Sequence, residues 1–198
     1  MFKTTILIFT LLFCNFSESK YELPVKTANR KSINTLSLTK IGEFGLVRKA
    51  RPTVPSHYHT GIDIKRPTNN YTDEAIFPIC EGIVISKRQD GPYAQLIIEH
   101  EGNPKFWTVY EHIAGIKVNL HDLVKPSDPI ARFMNKAELN KYGWQFDHFH
   151  FEVLKKYPIR LNPDKSKPER FFSSFSLICF TEEKLNEYFY NPIEFLKE

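Results

Sequence analysis

Short runs of alternating apolar and polar residues dominate the middle of the chain. The cleanest run is DHFHFEVL at residues 147–154, in which His and Glu alternate with Phe and Val. Successive side chains of a strand point to opposite faces, so this period of two predicts a strand with one polar and one buried face. Similar runs predict strands at residues 61–65, 82–87, 95–100 and 106–112. Turn residues at 91–92 and 102–104 separate three of them, which indicates a meander of antiparallel strands.

The flanking segments carry weaker patterns. Residues 20–40 are polar and predict an extended leader, while a short helical turn is expected at 136–141. A helix is predicted at 181–189, because Thr181 suits an N-cap and the two following Glu residues suit a first turn. Between these, the sequence predicts a charged surface loop at 155–170 and a further strand at 171–180. The whole pattern is typical of a mainly β domain, an antiparallel sheet or sandwich, with a short helical extension at its C-terminus.

Residues 1–19 have the pattern of a secretory signal peptide. Lys3 supplies a positive charge, residues 5–13 are apolar but too short to span a bilayer, and Ser17 and Ser19 are small residues before a cleavage point. Cleavage after Ser19 predicts an exported protein of the periplasm, cell envelope or extracellular space. An uncleaved anchor or a buried strand is the alternative, and lipid modification at Cys14 is a less favoured one.

Composition and charge narrow the class of protein. A chain of 198 residues suits one domain, and 41% apolar with 25% charged residues suits a globular chain rather than a disordered one. Seventeen Phe, nine Tyr and 13 Pro favour a β-rich fold over a helical bundle. The net charge of +4 is too small to indicate a nucleic-acid partner, although it suits mild attraction to anionic polymers.

Two cysteines, Cys80 and Cys179, remain after the predicted cleavage. An even pair in an oxidising compartment favours one disulfide bond. Two buried free thiols are the alternative, because the sequence does not show that the two residues are close in space.

Histidine and carboxylate residues form two clusters. His59 and Asp63 lie in the first, and His148 and His150 share one face of the predicted strand with Glu152. Imidazole and carboxylate groups bind zinc, and a catalytic zinc site uses three protein ligands and leaves one position for water. The residue types and their spacing therefore predict a metal site.

The other histidines have simpler interpretations. His57 is expected to flank the site, and His100 and His121 stand apart and are expected to be surface or satisfied core residues. Gly61, between His59 and Asp63, is expected to permit a backbone shape that other residues resist.

In their order along the chain, these motifs resemble those of the lysostaphin-type zinc metallopeptidases, the family that includes the LytM-like peptidoglycan endopeptidases. The family's H-x3-D motif corresponds to HTGID at residues 59–63, and its H-x-H motif to HFHFE at 148–152. A Tyr-x-His-Leu-like element between them corresponds to YEHI at 110–113. The resemblance covers roughly residues 44–163; the loops before H-x-H and the tail after residue 163 depart from the family pattern.

The resemblance implies roles for five residues. His59, Asp63 and His150 correspond to the ligands of one zinc ion, and His112 and His148 correspond to the catalytic histidines. Which of these two accepts a proton stays open. Glu152 is either a residue that orients a ligand histidine or a surface charge.

The resemblance further implies a zinc metallopeptidase domain of the lysostaphin type at residues 41–163, followed by an extension at 164–198. The expected activity is that of an exported zinc metalloendopeptidase that hydrolyses the cross-links or stem peptides of bacterial peptidoglycan. A non-catalytic wall-binding or regulatory module, and a protein-directed zinc peptidase, are the alternatives. Peptidoglycan is the expected partner, with no nucleic acid and no membrane span after processing; the bond cleaved and the oligomeric state stay open.

Overall fold

A single antiparallel sheet organises the protein. The computed structural model describes residues 19–198, so the predicted signal peptide, apart from Ser19, and the lipidation candidate Cys14 lie outside the described residues. In chain order the strands are β1 (Val47–Arg48), β2 (His57–Tyr58), β3 (Ile62–Lys65), β4 (Ala75–Ile76), β5 (Gly82–Arg88), β6 (Gln95–His100), β7 (Phe106–Glu111), β8 (Leu123–Val124), β9 (Ala131–Arg132), β10 (His148–Leu154), β11 (Ile159–Arg160), β12 (Phe172–Ser173) and β13 (Phe189–Tyr190). The five strands predicted from the sequence correspond to β3, β5, β6, β7 and β10.

Helices are short and lie outside the sheet. They are α1 (Lys136–Tyr142), α2 (Glu182–Tyr188) and α3 (Pro192–Phe195), with single 3₁₀ turns at Ile33–Thr35, Gly91–Tyr93, Trp144–Phe146 and Ser176–Ile178. The predicted helices at 136–141 and 181–189 are confirmed as α1 and α2. Thr181 caps α2 as expected, because its hydroxyl accepts a hydrogen bond from the Lys184 backbone N–H.

Strand β10 is the centre of the sheet. One of its edges pairs with β7, which continues through β6 and β5 to β8; the other edge pairs first with β3 and then with β13. Every pairing is antiparallel. Three small two-stranded ribbons, β1–β2, β4–β9 and β11–β12, flank the sheet.

The two faces of the sheet carry different clusters. Leu96 and Ile98 of β6 pack into the larger hydrophobic cluster, while Ile97 between them packs into the smaller one. The same alternation in β10 sends the Phe149 and Phe151 side chains into the larger cluster. The polar residues of β10 therefore share the other face with the smaller cluster.

The start of the N-terminal segment packs into the core. Tyr21, Leu23 and Val25 are buried in the larger cluster, and the ring of Tyr21 stacks on Phe195 with centroids 4.6 Å apart. Ser19 is also buried, and its hydroxyl donates to the Leu196 carbonyl. The expectation of an extended leader at 20–40 missed this packing, because apolar residues at alternate positions 21, 23 and 25 close the core against the C-terminal tail.

The segment after β10 contains less strand than predicted. Only Phe172 and Ser173 of residues 171–180 form a strand, β12, and a 3₁₀ turn follows at Ser176–Ile178. Its partner β11 lies within the predicted loop at 155–170. Within residues 19–198, no helix is long and apolar enough to cross a bilayer.

The expected disulfide bond is wrong. Cys80 and Cys179 are free thiols. Cys80 packs against the larger cluster and Cys179 lies in the smaller one, so the two faces of the sheet separate them. Burial raises the pKa of each thiol to about 12, which keeps both protonated at neutral pH.

Candidate metal centre

Two paired strands bring the two sequence clusters together. His150 of β10 lies directly opposite Asp63 of β3, and paired residues in an antiparallel sheet share a face. His59 precedes β3 and reaches the same point. The three side chains are buried, and their ligand atoms lie within 4.8 Å of one another.

Gly61 permits the close approach of these strands. A Cβ atom on this residue would lie 2.2 Å from the Phe151 carbonyl oxygen and 2.9 Å from Cε1 of His150. The residue does not have a positive φ. The expectation of an unusual backbone shape was wrong: glycine is required because β10 leaves no room for a side chain.

The three donor atoms converge closely. His59 Nε2 lies 3.0 Å from Asp63 Oδ1 and 2.9 Å from His150 Nδ1, and His150 Nδ1 lies 3.0 Å from Asp63 Oδ1. In a tetrahedral zinc site with bonds of 2.0–2.1 Å, ligand atoms lie about 3.3 Å apart. A zinc ion therefore requires an outward movement of a few tenths of an ångström by each donor.

The outer atoms of both rings are fixed by acceptors. His59 Nδ1 donates to the Glu43 carbonyl at 2.8 Å, and His150 Nε2 donates to Glu152 Oε1 at 3.0 Å. In the neutral form of each ring these atoms carry the proton, which leaves a lone pair on His59 Nε2 and on His150 Nδ1 directed at the common point. This pattern, two oriented imidazoles and one carboxylate, fits zinc.

Glu152 is thus a residue that orients His150, one of the two interpretations left open by the sequence. It is buried, and Oε1 also accepts a hydrogen bond of 2.5 Å from the Thr60 hydroxyl. Burial favours the neutral acid, but the hydrogen bond and charge of His150 hold the pKa of Glu152 below its ordinary value. The carboxylate is therefore ionised where it meets His150.

The protonation states of the metal-type donors depend on one another. Burial favours neutral Asp63, but the hydrogen bond and positive charge of His150, together with the close contact to His59, hold the pKa of Asp63 far below the ordinary range. Burial likewise favours neutral His150, yet its bonds to Asp63 and Glu152 raise its pKa to about 10. The two carboxylates hold a proton on His150 that a metal ion would replace, because metals bind the deprotonated imidazole nitrogen.

Arg48 fixes the second oxygen of Asp63. It lies on β1, and its Nη2 donates to Asp63 Oδ2 at 2.8 Å. This ion pair leaves Oδ1 directed at the two histidines. No motif in the sequence identifies Arg48, because its role depends on the pairing of β1 with β2 and no spacing rule connects residue 48 with residue 63.

His112 lies beside the three donors in an unusual backbone conformation. It follows the last residue of β7 with a φ of 63°, in the left-handed region that few non-glycine residues adopt. Its Nδ1 donates to the Pro92 carbonyl at 2.6 Å, which leaves Nε2 as an acceptor. Burial lowers the pKa of this ring, so the neutral form is present at pH 7.

His148 completes the group predicted from the sequence. Its ring centroid lies 5.4 Å from that of His112, and its Nε2 lies 3.7 Å from Asp63 Oδ1. Burial lowers its pKa to about 4. The structure therefore brings together all five residues, with Phe146 and Tyr93 packed against the His112 ring.

The remaining histidines lie outside this centre. His57 donates from Nδ1 to the Pro55 carbonyl, and His121 is exposed. His100 is a satisfied core residue, as expected: Nδ1 donates to the Glu81 carbonyl at 2.8 Å, and Nε2 accepts from the Thr108 hydroxyl at 2.7 Å.

Comparisons with known proteins agree with this geometry. The family model for peptidase family M23 matches residues 57–163, which is just over half of the chain. The match contains His59, Asp63, His112, His148 and His150. A comparison with curated protein sequences finds no match.

Solved structures include related folds. The catalytic domain of the antimicrobial peptidase lysostaphin from Staphylococcus simulans is 17% identical, with a TM-score of 0.51; the match covers 84% of this chain and 96% of that one. This likeness supports the fold. A zinc-containing peptidase from Vibrio cholerae is 26% identical with a TM-score of 0.47, and the match covers 68% of this chain and 37% of that longer chain.

Proposed function

This chain belongs to peptidase family M23, and on that premise we propose that it is an exported zinc metalloendopeptidase that hydrolyses peptide bonds in bacterial peptidoglycan. The family membership and the antiparallel β fold agree with the resemblance seen in the motifs.

The observation that carries the proposal is the placement of two neutral histidines beside three convergent metal-type donors. His59 Nε2, Asp63 Oδ1 and His150 Nδ1 would hold the ion. When bound there, zinc supplies a Lewis acid and activates water at neutral pH. A binding module without turnover has no need for two further histidines with lowered pKa values at the same point.

His112 is suited to accept the proton of the attacking water. Its Nδ1–H bond to the Pro92 carbonyl fixes the tautomer, so Nε2 is available as a base. The left-handed backbone and the packing of Phe146 hold the ring in place. Reaction therefore requires no rotation of this side chain.

His148 is suited to stabilise the negative charge that develops on the carbonyl oxygen. Its ring has no hydrogen bond of ordinary length to another described residue, which leaves its N–H for the substrate. A donor held in place before the reaction contributes most where charge develops in the transition state. Arg48 and Glu152 act indirectly, by orienting Asp63 and His150.

Digestion of isolated sacculi tests the proposal. The purified chain, loaded with one equivalent of zinc, should release soluble muropeptides, and mass spectrometry of the products identifies the bond. The His150→Ala variant should release none. The His57→Ala variant is the control, because His57 lies on β2, outside the seven-stranded sheet, and is not one of the three donors.

Absence of release by folded, zinc-loaded protein on sacculi of several cross-link types would overturn the proposed activity. Retained binding to those sacculi would then favour a wall-binding module. Cleavage of unfolded protein without cleavage of sacculi would instead favour a protein-directed peptidase.

A further inference from the structure

A row of paired residues leads away from the metal centre across the sheet. Asp63 lies opposite His150, His150 opposite Glu111, Glu111 opposite Gln95, and Gln95 opposite Arg88. Directly paired residues project from the same face. The row therefore has the metal donors at one end and an arginine at the other.

The length of this row matches a short peptide. Neighbouring strands lie about 4.8 Å apart, so β5 lies roughly 14 Å from β10. An extended peptide rises about 3.3 Å per residue, so roughly four residues span this distance. A substrate segment that starts at the metal centre can reach the end of β5.

A second arginine, Arg170, is held alongside that end of β5. The backbone N–H groups of Phe171 and Phe172 both donate to the Ser86 hydroxyl at 3.1 Å, and the Lys87 N–H donates to the Glu169 carbonyl at 2.9 Å. These bonds fix the backbone on both sides of Arg170. The residue lies beyond the part of the chain that matches the family model.

Arg170 differs from the other half-buried arginines of the described chain. Each of those forms an ion pair with a carboxylate; they are Arg30, Arg48, Arg66, Arg88 and Arg132. The Arg170 side chain has no hydrogen bond or ion pair with a described residue, and its Nε is buried without an acceptor. An unpaired, half-buried guanidinium is costly, so an acceptor from outside the described residues is expected.

The surrounding charges leave Arg170 available. Arg88 is neutralised by Asp90, and Glu111 accepts a hydrogen bond from Gln95 at 3.0 Å. Burial and the nearby charge of Arg88 lower the pKa of Arg170, while Asp90, Glu111 and Asp164 act in the opposite direction without contacting it. An anion at this point would supply the acceptor that the Arg170 side chain lacks among the described residues.

We propose that Arg170 binds a carboxylate of the substrate peptide, about four residues from the bond that is cleaved. This inference rests on the proposed function, since it assigns a group of the proposed substrate to the far end of the row of paired residues. A guanidinium forms two parallel hydrogen bonds with a carboxylate, which selects that group over an amide. Arg170 is then a specificity-determining residue contributed by the C-terminal extension.

Sacculi with free and with blocked carboxylates test this inference. Sacculi freed of phosphate polymers are divided, and half are coupled to methylamine with a carbodiimide, which converts carboxylates to amides. Binding by cosedimentation and release of soluble fragments are measured on both halves for the zinc-loaded chain and three variants. Arg170→Gln removes the charge, Arg170→Lys keeps the charge without the planar fork, and Arg160→Gln is the control, with the same charge change at an exposed site.

On unmodified sacculi, Arg170→Gln should weaken binding and raise KM by about tenfold with little change in kcat. The KM of Arg170→Lys should lie between those of the parent and Arg170→Gln. Arg160→Gln should have the binding and KM of the parent. Amidation should produce a similar loss for the parent and none for Arg170→Gln. If the parent binds free and amidated sacculi equally well and releases fragments from both at the same rate, the inference is overturned, while the proposed peptidase activity is still supported. Carboxylate-dependent binding without release would support the inference and overturn the activity.

Discussion

Glu152 Oε1 accepts a hydrogen bond of 3.0 Å from His150 Nε2, and both side chains are buried. The bond determines which ring nitrogen of His150 carries the proton. In the neutral ring it therefore leaves Nδ1, which lies 2.9 Å from His59 Nε2, as the atom that would bind a metal ion.

The Glu152→Gln variant is expected to bind zinc about tenfold more weakly, because a neutral amide polarises the His150 ring less than a carboxylate does. Competition with a chelator of known affinity measures the effect. The Glu99→Gln variant is the control, since Glu99 lies on the same sheet but pairs with Lys105 and Trp107. Equal zinc affinity of Glu152→Gln and the parent would contradict this role.

Loss of His112 or His148 should separate chemistry from metal binding. His112→Ala and His148→Ala are each expected to lower kcat/KM on sacculi at least 100-fold, a magnitude typical of a lost acid–base group, while retaining one zinc per chain. His150→Ala should lose both zinc and activity. Elemental analysis of the purified variants beside the sacculus assay checks this, and loss of zinc from His112→Ala would assign that residue to the metal instead.

His100 should make the fold sensitive to acid. Burial lowers its pKa to about 4 in the folded state, against an ordinary value of 6.5, so between these pH values only the unfolded chain binds the proton. The free energy of unfolding should therefore fall as pH falls below 6.5. On that basis the parent should lose about 2 kcal/mol more than His100→Gln between pH 7 and pH 4.5.

Urea unfolding at several pH values measures that difference. Above pH 7 both states of the ring are neutral, so the two proteins should show parallel behaviour there. Parallel curves down to pH 4.5 would show that His100 titrates normally in the folded protein.

Phe195 should be essential for closing the core. It is buried, and its ring contacts Tyr21, Phe106 and Tyr190. Phe195→Ala is expected to reduce the free energy of unfolding by about 3 kcal/mol, because it leaves a cavity between the N-terminal segment and the tail. Phe180→Ala, at a half-exposed ring, should reduce the free energy of unfolding by less than about 1 kcal/mol. An equally small reduction for Phe195→Ala would show that the C-terminal tail does not belong to the cooperative core.

The periodicity of residues 147–154 determined the central strand and its two faces before any tertiary information. That period of two is local, and it places His148, His150 and Glu152 on one face whatever the strand pairs with. The cap at Thr181 is equally local. The motifs around His59 and His150 indicated the family for the same reason, because the spacing of residues within each motif is a local property of the sequence.

Tertiary structure decided which distant residues meet. The ion pair between Arg48 and Asp63, and the fixed Arg170 beside β5, depend on pairings that no local period encodes. The same holds for Cys80 and Cys179, which the composition suggested as a disulfide and the two faces of the sheet keep apart. The sequence alone determines which functional side chains each strand carries. The register between strands determines which of these side chains act together, because only strand pairing brings them within a few ångströms of one another.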